Sequence, residues 1–127
     1  MLKNMIKTVA DTTEMTQVKA KEAIGIVLNT SERQGSPLAE MIFQKMPGAR
    51  TLSAVTGDEI GSPTGMIARL IEQTPGGRRF VGERMFSSLH KIGLGHSEIA
   101  KLLPSISQYM LTTYGLEDFA HLGDFII

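Results

Sequence analysis

Three histidines are the side chains in this sequence best suited to acid–base or metal chemistry, because imidazole changes its charge close to neutral pH. His90 and His96 flank a Gly-Leu-Gly turn, Glu83 precedes His90 by two helical turns, and His121 lies near the C-terminus. No HExxH run and no pair of histidines at i and i+4 is present. The spacing favours surface histidines beside a helix end, with a small-ligand or metal site at His90 and His96 as an alternative.

Two adjacent arginines follow two glycines where a helix is expected to begin. In the run Gly-Gly-Arg-Arg, Arg78 and Arg79 come directly after a flexible turn, an arrangement that suits a phosphate or a carboxylate. We expect these two residues to supply any contact with an anion or a charged partner, although two arginines on a solvated first turn are also common. Arg84 can add to this contact only if it points the same way.

The sequence lacks the signatures of common catalytic sites. Residues 57–65, GDEIGSPTG, lead into a helix N-terminus, where free N–H groups can bind phosphate. This run has no P-loop lysine, however, and Asp58 and Glu59 would repel an anion. There is also no GxSxG elbow and no dinucleotide-binding glycine fingerprint. We therefore predict no catalytic residue, no cofactor and no bound metal, and we favour a protein that is not an enzyme.

Apolar residues provide the candidate partner surface. The chain contains eight methionines, and flexible thioethers suit an adaptable groove as well as a core. Core packing is the favoured role for most of them, because they fall on predicted buried helix faces. The C-terminal Phe125, Ile126 and Ile127 are expected to dock on the domain or on a second subunit, since a solvated apolar end would be unfavourable. We predict an apolar interface that consists of Met85, Leu89 and these three residues.

Apolar residues that recur with a helical period must position these side chains. The period predicts a first helix over residues 2–12 and a second helix capped by Thr16. Pro37 suits the first position of a third helix at about 37–46. Residues 49–63 show no sustained period, so they are expected to form the longest loop and to be a mobile or functional segment.

The second half of the chain continues the helical pattern. Residues 66–71 carry the apolar face of a fourth helix, and a fifth is expected to end at Gly93 in a left-handed C-cap. Ser97 is expected to cap a sixth helix that continues through Pro104 with a kink. No stretch shows the strict alternation of a strand. The fold class is therefore all-α, as a compact single-domain bundle of five or six short helices over residues 1–127.

Composition limits the partners and the compartment. The 127 residues include thirteen basic and thirteen acidic side chains and no cysteine. A neutral chain is a weaker candidate for phosphate-driven nucleic-acid binding, and the absence of cysteine fits a reducing cytoplasm. The N-terminus lacks the apolar stretch of a signal peptide, and no window is long enough for a membrane span. A cytoplasmic protein is the expectation.

The first thirty residues are similar to the opening helices of HU-type nucleoid proteins. The stretch LKNMIKTVADTTEMTQVKAKEAIGIVLNT has the short helix, polar turn and longer alanine-bearing helix of that family. The rest of the chain lacks the strands and the basic arm through which HU-type proteins wrap DNA. The resemblance implies a helix hairpin, and DNA binding through Lys3, Lys7, Lys19 and Lys21 is an alternative function.

A second resemblance concerns the C-terminal third of the chain. The stretch GLGHSEIAKLLPSISQYMLTTYG looks like the C-terminal segment of small bacterial helical proteins of the YidB-like type and related uncharacterised families. The residues that carry it are Gly93, Leu94, Ser97, Glu98, Ile99, Ala100, Leu102, Leu103 and Pro104. The resemblance implies a helical fold and a bacterial source, and these families supply no reaction.

These observations together favour a non-catalytic binding or assembly module. Its partner is expected to be a protein, with self-association through the apolar C-terminus or through a methionine-lined face. DNA binding by the N-terminal helix pair and small-ligand or metal binding are the alternatives.

Overall fold

The fold is known from a computed structural model that describes residues 2–33, 37–61 and 77–115. For residues 37–39 and 77–82 it describes the backbone alone. Six helices lie in these ranges, and the described residues contain no strand, so the predicted all-α bundle is confirmed. The helices are α1 (Leu2–Thr13), α2 (Gln17–Arg33), α3 (Pro37–Lys45), α4 (Ala49–Glu59), α5 (Gly77–Lys91) and α6 (His96–Tyr114).

The turn between α1 and α2 forms much as the sequence predicts. Glu14 takes a left-handed conformation with φ of 58°, and the N–H of Met15 donates to the carbonyl of Ala10 at 3.0 Å. The hydroxyl of Thr16 then accepts from the N–H of Lys19 at 3.2 Å, which is the predicted N-cap bond. The chain therefore reverses within three residues, and α1 packs against α2.

Helix α2 lies at the centre of the bundle. Residues 23–31 are all buried, and α2 contacts each of the other five helices. Its burial on every side explains why apolar and small residues continue around the helix instead of forming one stripe. Helices α3, α4 and α5 are positioned mainly through their packing on α2, whereas α6 packs mainly on α1.

The prediction that residues 49–63 form the longest loop is wrong for most of that segment. Residues 49–59 form α4, and residues beyond 61 in that segment lie outside the described part. The buried side of α4 contains Ala49, Leu52, Ser53 and Thr56 at helical spacing, but only Leu52 is a large apolar residue. An apolar period could not reveal this helix, because its contact surface consists of small and hydroxylic side chains.

Small residues also bring α4 unusually close to α2. A β-carbon at Gly25 would overlap Thr56 of α4, and one at Gly57 would overlap the side-chain amide of Asn29 on α2. The Asn29 amide donates to the carbonyl of Ser53 at 3.3 Å. The two glycines therefore permit a close crossing that fixes the position of α4 on the central helix.

The corner after α5 confirms the predicted glycine cap. Gly93 has φ of 97°, its N–H donates to His90 at 3.0 Å, and the N–H of Leu94 donates to Leu89 at 3.2 Å. These two bonds define a Schellman motif. Leu94 is 2% exposed and Leu89 is fully buried, so an apolar contact accompanies the motif and directs the chain into α6.

The start of α6 differs from the prediction by two residues. Gly95 is the N-cap, its N–H donates to the Glu98 carboxylate at 3.1 Å, and Ser97 lies inside the helix. The Glu98 carboxylate thus accepts from the N–H of the N-cap residue itself, as a glutamate at the third helical position commonly does. The helix continues through Pro104 to Tyr114, as predicted. None of the described helices combines the length and hydropathy required to cross a bilayer.

Candidate functional site

A cleft of about 370 Å³ separates the end of α4 from the outward face of α5. Its lining combines two cationic side chains, one carboxylate, two hydroxyls and two isoleucines. These residues are Glu59, Ile60, Arg84, Ser87, Ser88, Lys91 and Ile92. The volume falls within the range of about 300 to 1,000 Å³ that is typical of small-ligand and peptide-side-chain pockets.

Helical spacing explains why α5 presents one polar face to the cleft. Arg84, Ser87, Ser88 and Lys91 follow one another at i, i+3, i+4 and i+7, so they lie along one side of the helix. The opposite side places apolar residues in the core, and α5 packs on α2 through that side. Core packing therefore fixes the orientation of the polar face.

The other wall of the cleft is the C-terminus of α4. The N–H of Ile60 donates to Thr56 at 3.0 Å, and the N–H of Gly61 donates to Asp58 at 3.2 Å. Gly61 has φ of 71°, a conformation that suits glycine at a helix end. The close packing of α4 on α2 thus carries Glu59 and Ile60 to the edge of the cleft.

The cleft has an apolar floor and an uneven charge. Ile60 and Ile92 are partly buried against the core, whereas Arg84, Lys91 and Glu59 are exposed. The two cations and one carboxylate among the described lining residues sum to a local charge of about one positive unit. The serine hydroxyls can donate to an anion between the cations, so the cleft can hold a carboxylate or phosphate group beside an apolar side chain.

The two candidate metal-binding histidines do lie together. The rings of His90 and His96 have centroids 5.2 Å apart and meet edge to face at 79°, and His90 Nδ1 lies 3.0 Å from the carbonyl oxygen of Leu94. Within the described ranges, however, no three histidine or carboxylate side chains gather as a metal site. The histidine pair lies at the α5–α6 corner, and its small-ligand or metal role stays a prediction.

The predicted anion-binding and C-terminal residues lie largely outside the described structure. The backbone of Arg78 and Arg79 occupies the first turn of α5, but their side chains lie outside the described residues. Phe125, Ile126 and Ile127 also lie outside them. Their predicted contacts with a partner stay predictions.

The structure corrects the apolar interface at two positions. Met85 is 1% exposed and Leu89 is 0% exposed, and both belong to the core of this chain. They lie on the face of α5 that packs inward, so neither side chain is available to a partner on the folded surface. The buried position of Met85 agrees with the expectation that most methionines pack in the core.

The four lysines proposed for DNA binding have different surroundings. Lys3, Lys7 and Lys21 are exposed, whereas Lys19 is partly buried. A β-carbon at Gly93 would lie 2.9 Å from the Lys19 ammonium nitrogen, so this cation packs against the α5–α6 corner. DNA binding through these lysines stays a prediction.

The cleft between α4 and α5 is not predicted from the sequence, although the sequence contains the pattern of one of its two walls. The polar spacing from Arg84 to Lys91 indicates one helix face, but the opposing wall exists only because residues 49–59 form a helix. The chain matches no known protein family, no curated protein and no solved structure, so its site is interpreted from the residues alone.

Proposed function

We propose that this protein is a non-catalytic binding module that holds an acidic segment of a protein partner in the cleft between α4 and α5. The observation that supports this function is the joint lining of the cleft by Arg84, Lys91, two serine hydroxyls and two isoleucines. Cations and hydroxyls provide charge-assisted hydrogen bonds to carboxylates, and the isoleucines provide an apolar contact for a neighbouring side chain.

The spacing of the two cations favours an extended segment over a single small anion. Arg84 and Lys91 are seven residues apart on α5, which corresponds to about 10 Å along a helix axis. An extended segment in the polyproline II conformation rises about 9 Å over three residues and returns the side chains i and i+3 to the same face. The preferred ligand therefore carries two carboxylates three residues apart, with an apolar residue between them that contacts Ile60 or Ile92.

Glu59 adds selectivity to the cleft. Its carboxylate repels a ligand that is acidic at every position, so a segment with spaced acids is favoured over a continuous polyanion such as a nucleic-acid backbone. Among the described residues, the lining contains one carboxylate and no histidine. This set is better suited to recognition than to paired acid–base chemistry.

The test uses a fluorescein-labelled peptide with glutamates at i and i+3 and leucine between them. Anisotropy measured on the full chain is expected to show saturable binding that weakens as salt increases. Arg84→Gln and Lys91→Gln should each weaken binding about threefold to tenfold, because each removes one charge-assisted contact. Lys101→Gln is the matched control, since Lys101 is an exposed cation on α6.

Two comparisons decide the outcome. The same peptide with glutamine in place of glutamate should lose most of its binding. Equal binding of both peptides, or equal effects of the Lys101 control and the two cleft variants, would contradict an anion-binding cleft.

Self-association is a separate part of the proposed assembly role. It is expected through the apolar C-terminus or through a methionine-lined face, and a native mass spectrum of the full chain measures it directly. A dimer would support self-association through surfaces other than Met85 and Leu89, whereas a monomer would limit the function to binding a different partner. A cytoplasmic location fits the cysteine-free sequence and is part of the same proposal.

A further inference from the structure

A second, chemically different cavity lies between α1 and α6. Its volume is about 290 Å³, and seven uncharged polar side chains line it: Thr8, Thr12, Ser105, Gln108, Tyr109, Thr112 and Thr113. The two helices pack against each other, so the groove between them is positioned by the core. None of these described lining residues is charged, in contrast to the cleft between α4 and α5.

Helical spacing brings the hydroxyls together. Thr8 and Thr12 are one turn apart on α1, and Ser105, Gln108 and Thr112 follow one another at i, i+3 and i+7 on α6. Each set therefore lies along one side of its helix. The groove thus receives one polar edge from each helix.

The hydrogen bonds between side chains of the groove do not include the hydroxyl of Ser105. The Thr12 hydroxyl donates to the carbonyl of Thr8 at 2.9 Å, and the Gln108 amide donates to the Thr112 hydroxyl at 3.0 Å. Ser105 is 7% exposed, and its hydroxyl has no hydrogen-bond partner among the residues that the structure describes. A buried hydroxyl without a partner is unfavourable in the free protein, so a rotation of the Ser105 side chain that brings its hydroxyl to a ligand group in the groove would be favoured.

We propose that this groove binds a small, neutral, polyhydroxylated molecule of the chemical class of monosaccharides. Side-chain hydroxyls and an amide can donate to and accept from sugar hydroxyls, and the ring of Tyr109 offers an apolar surface for the C–H face of a sugar. A charged ligand would lose hydration without gaining an opposite charge. The volume is just below the range of about 300 to 1,000 Å³ for pockets that hold drug-sized ligands, which fits a ligand as small as one sugar ring.

The first test is an NMR titration of the ¹⁵N-labelled full chain with D-glucose and with N-acetyl-D-glucosamine. Saturable shifts are expected at the amides of Thr8, Thr12, Ser105, Gln108 and Thr112, with a dissociation constant on the order of 1 mM for a ligand that makes few contacts. No saturable shift in this groove with either sugar would overturn the proposal.

Ser105→Ala separates a binding role from a structural role. The substitution removes a buried hydroxyl that has no partner and introduces a better helix former, so thermal stability should stay equal or rise. Sugar affinity should nevertheless decrease by about threefold to tenfold, which corresponds to one lost hydrogen bond. Unchanged affinity in this variant would overturn the proposal.

Two further variants control the interpretation. Thr12→Val keeps the branched shape and removes a second groove hydroxyl, so it should also weaken the sugar. Thr51→Val removes an exposed hydroxyl on α4 and should leave affinity unchanged. Equal losses of sugar affinity in Thr12→Val and Thr51→Val would contradict a specific site. This test does not depend on whether the cleft between α4 and α5 binds peptides.

Discussion

Gly25→Ala is expected to force α2 and α4 apart. A β-carbon at this position would overlap the Thr56 hydroxyl, and it would lie 2.8 Å from the Thr56 β-carbon and 3.1 Å from its γ-methyl. The hydroxyl and the methyl can move by side-chain rotation, but the β-carbon is attached directly to the α4 backbone. The added methyl therefore fits only if the helices separate or shift along each other.

The expected cost follows from two opposing effects. Overpacking in a close contact costs about 1 to 3 kcal/mol, and replacing glycine by alanine inside a helix contributes roughly 1 kcal/mol in the stabilising direction. Because the contact involves a carbon fixed to the backbone, the upper part of the overpacking range applies. We predict a decrease of about 1 to 2 kcal/mol in the free energy of unfolding, with a Tm lower by roughly 4 to 8 °C.

Urea unfolding followed by circular dichroism measures this change, and a double-mutant cycle identifies its cause. Thr56→Gly removes the opposing β-carbon, so Gly25→Ala should be neutral or stabilising in that background. Thr51→Ala, at an exposed position on α4, controls for general effects of substitutions in this helix. The reasoning is refuted if Gly25→Ala alone leaves the protein equally stable or more stable.

Two other substitutions test backbone conformations at helix ends. Gly93→Ala should lower the free energy of unfolding by about 1 to 2 kcal/mol, since φ of 97° strains an alanine. Gly93→Asn should lower it less, because asparagine tolerates this region better. Equal losses of stability in urea unfolding would argue against backbone strain as the cause. Glu14→Gly should instead raise the free energy of unfolding by roughly 0.5 to 1 kcal/mol, because φ of 58° suits glycine. A lower Tm would contradict this, since it would show that the Glu14 side chain stabilises the fold by more than the backbone strain destabilises it.

Most of the fold could be predicted because its helices follow ordinary sequence signals. The Thr16 cap and the Gly93 cap form as expected, and Pro37 begins α3. The exception is α4, whose contact face depends on Ser53 and Thr56. Its helical structure is stabilised by tertiary packing on α2, which a one-dimensional apolar period does not record.

The candidate site was harder to predict than the helices. Arg84 was recognised as a conditional contributor, and the structure places it in a cleft with Lys91. Met85 and Leu89 are predicted at a partner surface, although both lie on the inward side of α5. The apolar period indicates that Met85 and Leu89 share one face of α5, but the sequence of α5 does not tell whether α2 of the same chain or a partner covers that face.

The most direct test of the binding cleft is to map where the acidic peptide contacts the ¹⁵N-labelled full chain. The account predicts saturable amide shifts concentrated at Ile60, Ser87, Ser88 and Lys91, with the shifts reduced in Arg84→Gln. Saturable shifts confined to other helices, or no shifts at low ionic strength, would contradict the assignment of the cleft between α4 and α5 as the binding site.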